Sequence, residues 1–430
     1  MISFTGHSLR KWKCSIITIT VIILVIFQYF FYVKIYRGAY ELKCSYLSII
    51  TDTRMIFDHA SYSIEHYPEF ICPQNFRNMA DWVYGWPENI FDEDVQNSDH
   101  RIRATVASLP HGSILYIKTD SLPTFFSTIY PYFRNKFVLI TGQGDLQAPS
   151  EYLQYLEDKH SKIIHWFGQN GDIHASTSQR FTHIPIGKSM RNDDWTINFF
   201  LGLNCYFMAE NIRKIHQQYV NYTLPSVGPH SMDQPSHYIQ PFDITDKVLN
   251  TAKPLEKILL INFKPETDYT GLRSKIWKEI CEQNPTSFAT CFSKPDGVNA
   301  SSLPSIYRRN RQYPLWLSPR GNGLDCHRTW EALYLDAIPI VWHSTLDSLY
   351  ADLPIILIND WSEINEEFLR KKLSEIARKK RQQPSVYQYD KLRNAFWHRL
   401  ILEKSRYASL ITPTQRNRCW RANITQSNLS

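Results

Sequence analysis

Residues 313–342 read YPLWLSPRGNGLDCHRTWEALYLDAIPIVW. Tyr313–Leu317 is a short apolar run with the character of a buried strand. Ser318–Cys326 is a turn-rich loop in which Gly321, Asn322 and Gly323 supply permissive backbone. A helical pattern covers His327–Leu335, and Ile338–Trp342 is a second apolar run. Two buried strands joined through a helix are parallel neighbours, which predicts an α/β fold. The loop delivers Arg320 and Arg328 to the start of the helix, with Glu331 one turn further on. A helix N-terminus with free N–H groups receives anions, and planar guanidiniums match phosphate oxygens. An acid one turn later accepts hydrogen bonds from sugar or ribose hydroxyls. Two readings stand open at this point. The segment holds a nucleotide diphosphate, or Arg320 and Glu331 form a structural ion pair around a loop whose glycines serve geometry alone. The segment is neither a Walker loop, since no Gly-Lys-Ser/Thr follows the glycines, nor a dinucleotide fingerprint.

Outward from this unit the β/α alternation continues in both directions. Upstream, strand-like runs fall at Ser113–Lys118, Lys136–Thr141, Lys162–Phe167 and Phe181–Ile186, with helical stretches over part of Ser121–Tyr132 and over Ser150–Lys159. Ile197–Tyr219 has a helical pattern, and Leu224–Asp246, rich in Pro, Ser, His and Gly, reads as a linker. Beyond it come a strand at Lys257–Phe263, a helix at Gly271–Glu282 and strands at Phe288–Phe292 and Pro354–Ile358. Helices at Asn365–Lys380 and about Tyr389–Lys404 follow. A chain of 430 residues is long enough for two such domains with cores of their own. The expected division is 76–240 and 241–430, the second ending in a helical tail.

Ser15–Val33 is uncharged and strongly apolar, long enough at 1.5 Å per residue to span a bilayer core of about 30 Å. No small-residue cleavage site follows it, which favours an uncleaved anchor over a signal peptide. The division before the first domain is then a cytosolic tail (1–14), the anchor (15–33) and a stem (34–75). Lys34, Arg37 and Lys43 balance Arg10, Lys11 and Lys13, so the positive-inside rule does not orient the anchor. Four glycosylation acceptors, Asn221, Asn299, Asn423 and Asn428, place the bulk of the chain in the secretory lumen as a type II protein. Seven cysteines lie beyond the anchor, and Cys281 with Cys291 closes the shortest loop, making it the expected disulfide. Net charge is +7, but the basic tract Arg370–Arg381 alternates with Leu, Ile and Ala at helical spacing, a solvated helix face rather than a nucleic-acid surface.

The run SPRGNGLDCHRTWEALYLDAIPIV (Ser318–Val341) resembles the donor-site segment of exostosin-like glycosyltransferases, closest to their ribitol xylosyltransferase-like branch. HWFGQNGDIHASTSQRFTHIPIGKSM (His165–Met190) resembles the same branch, through its WF-x-QN segment and the stretch Phe181–Gly187. The resemblance spans about 82–400. It implies a GT-B fold, two Rossmann-like domains facing a cleft, with a nucleotide-sugar donor, a UDP-sugar first, and inversion at the anomeric carbon. It also implies a glycan or glycoprotein acceptor, a Golgi or ER membrane setting, and homo- or hetero-oligomers as partners. Glu331 takes the ribose hydroxyls by the same resemblance. Beside the enzyme stand a non-catalytic glycan-binding or partner subunit and a sulfotransferase. The last needs a Gly/Lys/Ser/Thr-rich phosphate loop near the start of the first domain, which is not present.

The expected donor-side residues are Arg320, Gly321, Gly323, Asp325, Arg328, Glu331, Asn262 and Lys264. Asp325 either touches donor or braces an arginine, and Lys264 either meets a phosphate or is a plain surface lysine. For the base that deprotonates the acceptor, Asp145 in TGQGD leads, with Asp120 and Asp172 at comparable strand ends. Asp92-Glu93-Asp94 matches an Asp-x-Asp metal pattern formally but reads as an acidic turn. With two arginines to neutralise a diphosphate, no metal is required.

Overall fold

The computed structural model describes residues 71, 76–77, 79–85, 106–186, 255–283, 285–292, 303–383, 386–392, 394–406 and 408. Ten strands form two five-stranded sheets in which every pairing is parallel. The first sheet holds β1 (Trp82–Tyr84), β2 (Ser113–Lys118), β3 (Phe137–Gly142), β4 (Ile163–Gly168) and β5 (Phe181–His183), in sequence order. The second holds β6 (Leu259–Ile261), β7 (Ala289–Cys291), β8 (Leu315–Leu317), β9 (Ile338–Trp342) and β10 (Ile356–Ile358), in the order β10-β9-β8-β6-β7. These strands are apolar runs because both faces of a parallel sheet are covered. Side chains of β2 alternate between the two faces. Leu115 and Ile117 enter one cluster with Leu122, Phe125 and Phe126, and Ile114 and Tyr116 enter another with Phe76 and Met79.

The second sheet has a reversal of strand order. β7 lies on one side of β6, and β8, β9 and β10 lie on the other. Connections leaving the carboxyl ends of β6 and β8 therefore part, and a crevice opens between them, the usual place for a ligand in an open α/β sheet. The described strands of the first sheet show no such reversal.

The helices follow local chemistry. The β2–β3 connection, expected to be partly helical, is a relay of short turns: 3-10 at Thr119–Ser121, one α turn at Leu122–Thr124, a π turn at Phe125–Ile129 and 3-10 at Tyr130–Tyr132. Pro123 and Pro131 sit near the starts of two of these, where a missing N–H costs nothing. Helix α1 (Leu153–Glu157) is shorter than expected because Asp158 turns to ψ 138°. Helices α2 (Leu272–Ile276), α3 (Leu303–Asn310), α4 (His327–Tyr334) and α5 (Asp347–Tyr350) follow. After them come α6 (Glu366–Gln382) and α7 (Asn394–Lys404). The sequence reading missed β1, α3 and α5, all short. Helix α6 buries Leu369, Leu373 and Ala377, four residues apart. Its Asn365 N-cap accepts from the Phe368 N–H, with Glu366 and Glu367 at the start and Lys379, Lys380 and Arg381 at the end, as the helix dipole favours. A π-helical segment, Trp277–Gln283, extends α2 and is tied to β7 by the Cys281–Cys291 disulfide, with Cα atoms 5.9 Å apart.

One apolar cluster belongs to both sheets. It contains Ile114, Val138 and Phe167 of the first sheet, Leu260, Trp316 and Val341 of the second, and Trp330 and Leu333 of α4. Two outer clusters cover the far faces. Helix α7, expected to be a tail of the second domain, crosses back instead. Its Trp397, Ile401 and Leu402 join the shared cluster, His398 packs edge-on against Phe76, and Arg406 pairs with Asp81 at 2.8 Å. Part of 394–406, placed by the sequence in 241–430, thus reaches the first sheet: α7 touches β4, and the Arg406 N–H donates to the Gly112 carbonyl at 2.8 Å. No helix among the described residues is long and apolar enough to cross a membrane. The anchor 15–33, the stem 34–75 apart from Ile71, helix 197–219, linker 224–246, Asp92–Asp94, Asn221, Asn299, Asn423 and Asn428 lie outside the described residues.

Two histidines of the first sheet are buried. His165 of β4 bonds Thr182 through Nε2 at 2.8 Å, and burial, then Lys404 and Arg180, lower its pKa to about 4. Burial also lowers His183 to about 4 against the pull of the Ile173 backbone and Asp172, with His174 adding to the fall. The unfolded chain binds protons on both near 6.5, so between the two values it holds more protons than the fold. Stability is whole above about 6.5 and is lost as pH falls toward 4. Melting temperature is expected to drop over that interval, with a shallower drop in the His165→Gln/His183→Gln variant. Equal slopes would show that the two rings are not buried neutral.

Candidate functional site

The crevice of the second sheet is lined by residues after β6, the loop between β8 and α4, and the first turn of α4. Its floor is set by Arg273 of α2, buried and absent from the sequence-based candidates. Arg273 donates from Nε to the Arg320 carbonyl at 2.9 Å and from Nη2 to the Pro319 carbonyl at 2.9 Å. Nη2 also reaches the Cys326 thiol at 3.2 Å, and Nη1 reaches Thr267 Oγ1 at 2.6 Å. The Arg273 N–H in turn is held by the Asp268 carboxylate at 3.0 Å. One guanidinium thus ties down both ends of the 319–326 loop. Gly321 is explained by this contact. A Cβ there would stand 3.2 Å from both Arg273 Nη2 and the Thr267 carbonyl. The glycine makes room for the protein's own cation.

Arg320 is half-buried. Its Nη2 donates to Tyr269 Oη at 2.9 Å and to the Asn322 carbonyl at 3.3 Å, and it makes no ion pair among the described residues. The alternative Arg320–Glu331 pair is not formed. Arg328 is held by Asn262, whose Oδ1 accepts from Nε at 2.8 Å and whose carbonyl accepts from Nη2 at 2.9 Å. Asn262 thus positions an arginine. Burial pushes the Arg328 guanidinium down, Arg273 adds to the fall, and Cys326 and Glu331 oppose it. Arg273 and Arg328 lie 5.6 and 5.8 Å from the Phe263 ring, so two cations meet at one buried aromatic. Glu331 is half-buried, and its charge acts on Arg328 and on Tyr307, whose hydroxyl burial raises well above its ordinary value. Lys264 is exposed. The α4 N-terminus has no side-chain cap, and the hydroxyls of Ser318 and Thr329 beside it are buried without a hydrogen-bond partner.

Asp325 needs correction. Its carboxylate is buried and accepts four hydrogen bonds, all at 2.8 Å: from the Ile186 N–H, Trp330 Nε1, the Cys326 N–H and the Tyr350 hydroxyl. No lone pair is left for a donor or for Arg320 or Arg328. Burial raises its pKa, and these four bonds hold the rise in check. The Asp325 N–H donates to Asn170 Oδ1 at 2.8 Å, while Asn170 Nδ2 donates to the Gly144 carbonyl at 3.0 Å. Asn170 sits at φ 52°, a region asparagine tolerates. A Cβ on Gly323 would meet its amide at 2.8 Å, so this glycine also makes way for a side chain of the protein. Nearby, Gln169 joins the Gln143 N–H and the Pro185 carbonyl, and Thr345 Oγ1 donates to the Gly171 carbonyl at 2.5 Å.

These contacts bring Asp145 to the loop. The Asn322 amide donates to its carboxylate at 3.3 Å across from the second sheet, and Asp145 is exposed. The two rival carboxylates are engaged elsewhere: Asp120 pairs with Lys118 at 2.8 Å, and Asp172 accepts from Ser150. Among the described residues no cluster of metal-binding type occurs. No protein-family model matches the chain, and no curated protein matches it. Asn170 was within reach of sequence reasoning, since it stands in the WF-x-QN segment. Arg273 gave no signal beyond one basic residue in an amphipathic helix.

Replacing Asp325 by Asn turns an amide NH₂ toward two of the four donors. Stability is expected to fall by about 2–5 kcal/mol, measured as the urea unfolding free energy of the purified protein. Normal stability with lost ligand binding would return Asp325 to the ligand side.

Proposed function

We propose that this chain is a glycosyltransferase that moves a sugar from a nucleoside-diphosphate sugar to a glycan or glycoprotein acceptor. One observation carries the reading. Arg320, without a carboxylate partner, lies at the strand-order reversal, and the same loop meets Asp145 of the other sheet through Asn322. Charge for a leaving diphosphate and a carboxylate for an acceptor hydroxyl thereby face one crevice. In this reading Arg320 and Arg328 stabilise the diphosphate as negative charge grows on it. Asp145 takes the proton of the acceptor hydroxyl, which attacks the anomeric carbon from the side opposite the diphosphate and inverts it. Glu331 holds ribose hydroxyls one turn into α4, and the arginines do the work that a metal does elsewhere. The two parallel sheets are compatible with a GT-B-like pair of domains, acceptor side first and donor side second. The apolar run 15–33 and the four glycosylation acceptors support a type II setting in the Golgi or ER membrane.

The test begins with nucleotide sugars titrated into the purified protein by calorimetry. Arg320→Ala is expected to weaken donor binding tenfold to a hundredfold, about 1.5–3 kcal/mol, with an unchanged melting temperature. Asp145→Asn is expected to keep donor affinity and abolish transfer. Normal donor binding by Arg320→Ala would sink the diphosphate assignment. A wild type that binds donor but neither transfers nor hydrolyses it would point to a non-catalytic partner subunit.

A further inference from the structure

Tyr269 is the most exposed large hydrophobic residue among those described, at 70% against 55% for Leu146 and 40% for Tyr132. It belongs to no apolar cluster and makes no ring–ring contact among the described residues. Packing does not account for its presence. The turn that carries it is nevertheless closely bound. Asp268, immediately before it, accepts from the Thr270 N–H at 2.9 Å, Thr270 Oγ1 at 2.7 Å and the Arg273 N–H at 3.0 Å. On the upstream side Thr267 donates through N–H and Oγ1 to the Lys264 carbonyl, and downstream Gly271 turns the chain at φ 73° into α2. An aromatic ring is thus held out on a fixed turn after β6, at the strand-order reversal. Its hydroxyl accepts from Arg320 Nη2 at 2.9 Å, and the guanidinium carbon lies 5.4 Å from the ring centroid.

A ring fixed beside an arginine with no carboxylate suits a ligand that is anionic at one end and planar at the other. A nucleoside diphosphate has that shape. Its phosphates meet the guanidinium, and its base has a π-face that stacks on an aromatic side chain whatever the base. A bare diphosphate uses only the cation. We infer that Tyr269 forms the nucleobase subsite of the crevice, stacking against the base while its hydroxyl steadies Arg320 for the phosphates. The inference rests on the proposed reading of the crevice as a nucleoside-diphosphate site.

Three ligands separate the two ideas: uridine diphosphate, guanosine diphosphate and inorganic pyrophosphate, each titrated into the full chain. Tyr269→Ala is expected to weaken the better-binding nucleotide by about 5- to 100-fold and to change pyrophosphate affinity by less than about twofold. Tyr269→Phe, which keeps the ring, is expected to retain most of the nucleotide affinity. Arg320→Ala is expected to weaken nucleotide and pyrophosphate together. Equal losses for both ligands in Tyr269→Ala would mean that the ring acts only through Arg320, and the subsite falls. The subsite also falls if Tyr269→Ala leaves nucleotide binding intact, or if the wild type binds nucleotide no more tightly than pyrophosphate. In those cases the anion site survives. A wild type that binds none of the three overturns the anion site and the subsite with it.

Discussion

A buried carboxylate with four donors joins the two halves of this protein. Asp325 takes one hydrogen bond from Ile186, at the end of the first sheet, and three from the second: Cys326, Trp330 and Tyr350. A charge in an apolar core is unfavourable unless every lone pair is used. Here the four partners come from three separate stretches of chain, so satisfying the charge fixes their mutual placement. Removing any one leaves the carboxylate short of a donor. Asn170 repeats the logic with a neutral amide, holding the Asp325 N–H with one end and the Gly144 carbonyl with the other. The loop that bears Arg320 and the loop that bears Asp145 are positioned by these two side chains.

Much of the architecture is legible in the sequence. Runs such as SILYIK, KFVLIT and KILLINF are apolar without alternation, as strands covered on both faces must be. β1 escaped because Trp82–Tyr84 is three residues long, too short for any period. The stretch between β2 and β3 was legible as partly helical, but its breakup into 3-10, α and π turns was not, because that geometry answers to the packing of Phe125, Phe126 and Phe133 and not to helix propensity. The return of α7 to the first sheet is a long-range event, and nothing local in 394–404 announces which sheet it will cover.

The site was legible in its residues more than in their roles. Asn262 reaches Arg328, and the Asp325 carboxylate is taken up by four donors of the protein itself. Gly321 and Gly323 stand among the expected donor-side residues. Both are small because a neighbouring side chain, Arg273 or Asn170, occupies the space. A sequence displays which residue is small or charged, whereas the partner that makes it so can lie far along the chain, as Asn170 does for Gly323. Arg273 was invisible for the same reason: its meaning lies in the carbonyls of Pro319 and Arg320.

The path of α7 bears on how the molecule comes into being. Strands β2 to β5 are complete by residue 183, yet the apolar cluster on one face of their sheet includes Trp397, Ile401 and Leu402. A chain emerging vectorially from the ribosome therefore carries that cluster incomplete until residue 402 has been made. During that interval a long apolar surface is exposed to chaperones or to other nascent chains. A premature stop shortly before residue 394 would spare every residue of the arginine crevice. The damage would fall on the cluster that the two sheets share, and quality control would read the lesion there.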